Sequence, residues 1–108
     1  MPGLNLTQAD NGKSFEARQG DLIVIRLDEN PTTGYRWAID KSDDAIIALQ
    51  SVDYTQTPST GVGGGGQRTF TFKAIKAGAA KIALKLSREW EGDKSIIDRF
   101  TASVQVHS

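Results

Sequence analysis

The chain has 108 residues, of which 38% are hydrophobic, and its 13 Lys and Arg residues balance its 13 Asp and Glu residues. This length predicts a single domain, spanning residues 1–108, that buries its own core. A formal net charge of zero gives no electrostatic footprint for nucleic acid or for an anionic membrane. The absence of cysteine excludes disulfides, thiolate metal sites and a cysteine nucleophile.

The apolar runs and the first residues bear on location. No apolar run approaches the roughly 18 residues that a membrane span needs. The N-terminus lacks the basic and apolar regions of a signal peptide. Both a cytoplasmic chain and a mature periplasmic or secreted form are compatible with this pattern.

Alternation of apolar and polar residues with period two dominates the chain. One helical candidate, at residues 42–48, is one turn at most and has Ser42 as its cap. Turn signals follow at residues 19–21 and 76–79. We therefore predict an all-β, immunoglobulin-like antiparallel β-sandwich of about seven or eight strands. The predicted strands cover residues 4–7, 13–18, 21–27, 35–40, 47–56, 67–75, 79–87 and 96–107.

The unusual residues of the chain fall in three connections. These are the first loop (residues 28–34), the second loop (57–68) and the third loop (87–95). Successive connections of antiparallel strands alternate between the two ends of a sandwich, so these three are predicted at the same end. Loops grouped on a rigid scaffold are typical of a binding site.

The first loop has the composition of a rigid turn. Pro31 fixes its own φ and holds Asn30 out of the helical region. Gly34 permits a positive φ before the chain re-enters a strand at Tyr35. Between these clamps, Thr32 and Thr33 form the tip. An ordinary, well-made turn is the alternative interpretation.

The second loop contains four consecutive glycines, at residues 63–66, followed by Gln67 and Arg68. Such a backbone can lie flat against another molecule because no side chain intervenes. The formal match to a dinucleotide-binding glycine motif is rejected, because a strand and not a helix follows it. A surface loop without a function is the alternative.

The third loop places Trp90 among charged residues and close to Arg88. An exposed Trp beside an Arg is typical of an interface hot spot, and a Trp folded onto the rim of the sandwich is the alternative. The acidic residues of this loop do not have the spacing of a calcium-binding loop. We expect no metal and no cofactor.

Catalytic residues are hard to assemble from this sequence. The single histidine, His107, is the penultimate residue, where chain ends fray, and it forms no evident Ser-His-Asp set. A small hydrolase is therefore disfavoured, and we predict that the chain is not an enzyme. An immunoglobulin-like adhesion or carbohydrate-binding module without inhibitory activity would explain the sandwich and Trp90, but not the Pro-Thr-Thr-Gly clamp.

Three motifs in order, Asn30 to Tyr35, Gly61 to Arg68 and Arg88-x-Trp90, give the chain a specific resemblance. In order and spacing, over nearly the whole chain, it resembles the chagasin family of cysteine-peptidase inhibitors. The family fold is an immunoglobulin-like β-sandwich, in agreement with the strand pattern. The peptidase-binding residues that the resemblance implies are Asn30, Pro31, Thr32, Thr33, Gly34, Tyr35, Gly63, Gly64, Gly65, Gly66, Arg68, Arg88 and Trp90.

The resemblance implies a tight, reversible inhibitor of papain-like (clan CA), cathepsin L-like cysteine peptidases, acting as a monomer. The three loops would form a wedge in the active-site cleft. The first loop would place Thr32 and Thr33 over the catalytic cysteine, and the glycines of the second loop would pair with the non-primed side. Arg88 and Trp90 would dock on the primed side.

One residue departs from the family pattern. Glu89 stands where a proline usually separates the Arg and the Trp of the third loop. The change leaves this loop less preorganised and adds a negative charge near the primed side.

Overall fold

The computed structural model describes residues 3–29, 34–56, 66–88 and 95–108. It contains eight strands in two four-stranded sheets, and a single hydrophobic cluster draws on residues of both sheets. A short 3-10 helix, Gln8–Asp10, joins the first two strands; the sequence pattern did not predict it. The strands are β1 (Gly3–Leu6), β2 (Lys13–Arg18), β3 (Leu22–Glu29), β4 (Arg36–Ser42), β5 (Ile47–Gln56), β6 (Gly66–Ala74), β7 (Gly78–Ser87) and β8 (Asp98–His107).

The first sheet has the strand order β1-β3-β6-β5, and the second has the order β2-β8-β7-β4. The predicted sandwich is confirmed, and its pairing is mixed where a wholly antiparallel one was expected. β1 pairs with β3, and β2 with β8, in parallel. The other four pairings are antiparallel. The chain reverses direction at each connection, so strands an even number of positions apart point the same way. β1 and β3 are two positions apart and β2 and β8 are six apart, so both pairs are parallel.

The core forms where the inward faces of the two sheets meet. The predicted alternation is confirmed on β3, β6, β7 and β8, whose inward apolar residues are almost fully buried. Burying a large apolar side chain contributes about 1.5 to 3 kcal/mol, so these rows stabilise both sheets. The largest of the fully buried side chains include Phe70, Phe72, Phe100, Ile23, Ile25, Leu27, Ile82 and Leu84.

The predicted turns are present, and the helical candidate reduces to a turn. Gly20 and Gly78 have φ values of 97° and 144°, which favour glycine over residues with a Cβ. At residues 44–46 the chain makes one turn before β5 begins at Ile47. The Ser42 hydroxyl donates to the Asp44 carboxylate at 2.8 Å instead of capping a helix. None of the helical segments in the described ranges is long and apolar enough to cross a membrane.

Candidate functional site

The three loops leave the sandwich at one end. β3 ends at Glu29, which lies opposite Gly66, the first residue of β6, and Gly66 lies opposite the end of β5. In the second sheet, Arg36 at the start of β4 lies opposite Ser87 at the end of β7. The strand ends that flank the three loops are therefore neighbours, as the alternation of connections predicts.

The predicted site residues divide into two groups. Five of them, at positions 34, 35, 66, 68 and 88, lie in described parts of the chain. The other eight lie outside the described residues: Asn30, Pro31, Thr32, Thr33, Gly63, Gly64, Gly65 and Trp90.

We call the two strand ends that flank a loop its neck. In the neck of the first loop, Trp37 is only 4% exposed and joins the two strand ends. Its backbone N–H donates to Oε1 of Glu29 at 2.7 Å. Its indole Nε1–H donates to the carbonyl oxygen of Asp28 at 2.9 Å. These two hydrogen bonds join the residues where the chain leaves β3 and enters β4. Gly34, just before β4, has a φ of 80°, a positive value of the kind that glycine permits.

Glu29 is a buried carboxylate that is not among the predicted site residues. It is 4% exposed and continues the inward row of Ile23, Ile25 and Leu27. The period-two pattern could have identified it, because it places Glu29 on the buried face of β3. A buried carboxylate needs polar partners to offset its lost hydration. Its partner is Arg68, whose Nε and Nη2 donate to its Oε1 and Oε2 at 3.2 and 2.6 Å.

The Arg68 side chain therefore contacts the two strands beside β6 in its own sheet, through Glu29 on β3 and Tyr54 on β5. Its side chain is 18% exposed, and its guanidinium carbon lies 5.1 Å from the centre of the Tyr54 ring. Both oxygens of Glu29 and the ring of Tyr54 thus hold the guanidinium group. These surroundings differ from those expected of a residue that contacts a partner.

Gly66 is buried, and contacts within the chain explain why this position holds a glycine. A Cβ at this position would lie 2.6 Å from the carbonyl oxygen of Thr55 and 2.5 Å from Cζ of Tyr54. Real Cβ atoms do not make contacts this short. A glycine at position 66 allows β6 to start directly against β5.

The third loop is joined both to itself and to the first loop. The backbone N–H of Arg88 donates to Oγ of Ser95 at 2.9 Å, and that hydroxyl donates to the Arg88 carbonyl oxygen at 3.1 Å. Ser95 is 8% exposed. The Arg88 guanidinium carbon lies 4.5 Å from the centre of the ring of Tyr35, the residue that directly follows the first loop, and the two groups make a cation–π contact.

The histidine lies at the opposite end of the sandwich. His107 ends β8, and its Nε2 lies 2.9 Å from Oε1 of Glu16 on the exposed surface. The described residues contain no group of three His, Cys, Asp or Glu side chains that could hold a metal ion. What distinguishes the loop end is a set of closed, mutually connected loop necks.

A β-sandwich that presents three adjacent loops from one end belongs to the class of loop-based binding domains. A family model described as "Chagasin family peptidase inhibitor I42" matches residues 16–104. The chain belongs to the chagasin family of peptidase inhibitors. The prediction that it is an inhibitor and not an enzyme is confirmed by this membership.

Relatives from two organisms cover most of the chain. Amoebiasin-2 of Entamoeba histolytica is 32% identical over 94% of this chain and 83% of its own length. Chagasin of Trypanosoma cruzi is 27% identical over 94% of this chain and 96% of its own.

Solved structures agree with this fold. The crystal structure of the cysteine protease inhibitor EhICP2 from Entamoeba histolytica matches with a TM-score of 0.89 at 30% identity. The match covers 97% of this chain and 96% of that one.

Proposed function

We propose that this protein is a tight, reversible inhibitor of papain-like (clan CA), cathepsin L-like cysteine peptidases. The observation that carries the proposal is the convergence of three loop necks at one end of a chagasin-family sandwich. Support for cysteine peptidases as the target class comes from EhICP2, which is described as a cysteine protease inhibitor. The non-inhibitory adhesion module is not favoured, because it accounts for neither the family match nor the first-loop motif.

In the proposed mechanism the first loop is the central part of the wedge. Residues 30–35 enter the cleft, and Thr32 and Thr33 cover the catalytic cysteine of the peptidase. The bonds of Trp37 to Glu29 and Asp28 support this role, because they hold the loop's two ends together. A loop that is ordered before binding loses little conformational entropy on binding. The peptidase nucleophile is occluded and meets no well-placed scissile bond.

The second and third loops flank the first. The backbone of residues 63–66 pairs with the non-primed side of the cleft, in the manner of strand addition. Arg88 and Trp90 dock on the primed side, where the indole ring stacks on an aromatic side chain of the peptidase. The contact of Arg88 with Tyr35 supports this arrangement, because it holds the second residue of the third loop against the residue that directly follows the first loop.

Enzyme inhibition tests the proposal directly. Purified protein is added to papain and to a cathepsin L-like peptidase, and cleavage of a fluorogenic substrate is followed over time. We expect tight inhibition of both, with activity restored on dilution, and no inhibition of trypsin, which has a serine nucleophile. A lack of papain inhibition at micromolar protein would contradict the proposal.

A further inference from the structure

Four residues at the loop end of the sandwich form a connected group, here called the neck cluster: Glu29, Tyr54, Arg68 and Trp37. Glu29 is the last residue of β3, and Trp37 is the second residue of β4. Tyr54 lies near the end of β5, and Arg68 near the start of β6. These four strand ends are the two ends of the first loop and the two ends of the second.

The carboxylate of Glu29 is the centre of the cluster. Its Oε1 accepts from the Trp37 backbone N–H in the second sheet and from Nε of Arg68 in the first. Its Oε2 accepts from Nη2 of Arg68 at 2.6 Å. Arg68 in turn contacts Tyr54 on β5, because its guanidinium carbon lies 5.1 Å from the centre of the Tyr54 ring. One ion pair thus contacts all four ends of the two loops.

We propose that the Glu29–Arg68 pair is a positioning device that holds together the strand ends from which the first and second loops leave the sandwich. Arg68 acts through Glu29 and does not itself contact the peptidase. The effect of the pair on inhibition rests on the proposed function. Its effect on the order of the strand ends does not.

The geometry favours positioning over a simple contribution to stability. A buried ion pair is often no more stabilising than a pair of apolar side chains of the same size. Apolar side chains would continue the inward rows of Leu27 and Phe70, but they would not specify an orientation. The planar two-bond fork between Arg68 and Glu29 does specify one. The third bond, to Trp37, extends that orientation to the other sheet.

The cluster has a particular kinetic consequence. If the two loops are not held together, a smaller fraction of molecules has the binding-competent arrangement, and the apparent affinity falls by that fraction. The loss appears in the association rate, because the contacts in the finished complex are unchanged. A residue that touches the peptidase would instead change the dissociation rate.

Two readouts test the inference on the variants Arg68→Met and Glu29→Leu/Arg68→Met. The second variant removes both charges and leaves no buried carboxylate unpaired. Lys73→Met is the matched control, because it removes a cation from the exposed side of the same strand. Arg68→Lys keeps the charge and loses the fork.

The first readout is hydrogen exchange in the free protein, with no peptidase present. The reporter is the Trp37 indole N–H, which bonds to Asp28 and not to Glu29. In Arg68→Met and in the double variant, we expect the exchange protection of this N–H to fall at least tenfold more than that of the Phe72 amide in the middle of β6. The second readout is papain association, which we expect to slow about tenfold, with dissociation changed less than twofold. Lys73→Met should match the wild type in both, and Arg68→Lys should be intermediate.

An equal loss of protection at Trp37 and Phe72 would show that the pair contributes only to global stability, and would overturn the inference. An unchanged association rate in either folded variant would overturn it as well. If wild-type protein fails to inhibit papain, the proposed function fails, and with it the inhibitory role of the pair. The exchange experiment still decides whether the pair orders the loop necks.

Discussion

The guanidinium group of Arg88 lies over the ring of Tyr35, with 4.5 Å between the guanidinium carbon and the ring centre. Tyr35 directly follows the first loop, and Arg88 is at the start of the third. The first loop leads into β4 and the third loop follows β7, and these two strands are hydrogen-bonded neighbours in the second sheet. The contact therefore connects the two loops through side chains as well as through the sheet.

Loss of the Tyr35 ring should weaken inhibition without unfolding the protein. In Tyr35→Leu the cation–π contact with Arg88 is removed, which costs about 0.5 to 1 kcal/mol at a partly exposed site. We expect papain inhibition to weaken roughly twofold to fivefold, measured by progress curves. Tyr35→Phe keeps the ring and should stay close to wild type. An equal effect of the two substitutions would show that the hydroxyl, and not the ring, is the important group.

The tip of the first loop should act through the lifetime of the complex. Thr32→Ala combined with Thr33→Ala removes contacts that exist only when the wedge is seated in the cleft. We expect faster dissociation from papain with a nearly unchanged association rate, measured by stopped-flow fluorescence. The single variants provide the control for additivity. A slower association with unchanged dissociation would contradict the central position of this loop.

Substitution of Trp90 distinguishes a role in the interface from a role in the core. Trp90→Ala should weaken inhibition at least tenfold, as expected when an aromatic anchor is truncated, and leave the melting temperature nearly unchanged. Thermal unfolding and inhibition are measured on the same preparation. Trp37→Ala provides the contrast, because Trp37 is buried and its loss should cost about 3 to 5 kcal/mol of unfolding free energy. A comparable drop for Trp90 would mean that it packs on the sandwich.

Replacement of Glu89 by proline should strengthen inhibition. Proline reduces the conformational freedom of the unbound third loop. Where the backbone accepts a proline, the entropy cost of ordering the chain falls by about 0.4 to 1 kcal/mol. We expect a severalfold lower inhibition constant toward papain. Glu89→Ala isolates the effect of the negative charge from that of the ring. If Glu89→Ala improves inhibition as much as Glu89→Pro does, charge and not preorganisation is the cause.

Gly66 should not tolerate a side chain. In Gly66→Ala the new Cβ meets the Thr55 carbonyl oxygen at 2.6 Å, so β5 and β6 have to separate, at a cost of about 2 to 3 kcal/mol. Chemical denaturation measures this loss. Gly20→Ala is the control, because a Cβ there meets no atom within 4 Å and pays only for its positive φ, about 1 kcal/mol. Equal losses in the two variants would contradict the steric explanation.

Sequence alone was sufficient for the strands and for the grouping of the loops. Period-two alternation reports directly which side chains are buried, as in Ile23, Ile25 and Leu27 or in Phe70 and Phe72. Once the strands are known, the reversal of direction at each connection is enough to bring the three loops to one end. These properties depend on local pattern and on counting, and both can be read along the chain.

The tertiary structure decided what holds the loop necks together. Glu29 and Arg68 are 39 positions apart, and they meet only because the register of β3 against β6 places Glu29 opposite Gly66 and Leu27 opposite Arg68. A shift of one residue would turn every side chain of a strand to the other face. The parallel pairings of β1 and β2 likewise depend on which strands become neighbours. No local pattern contains this information, because it arises only when the strands pair.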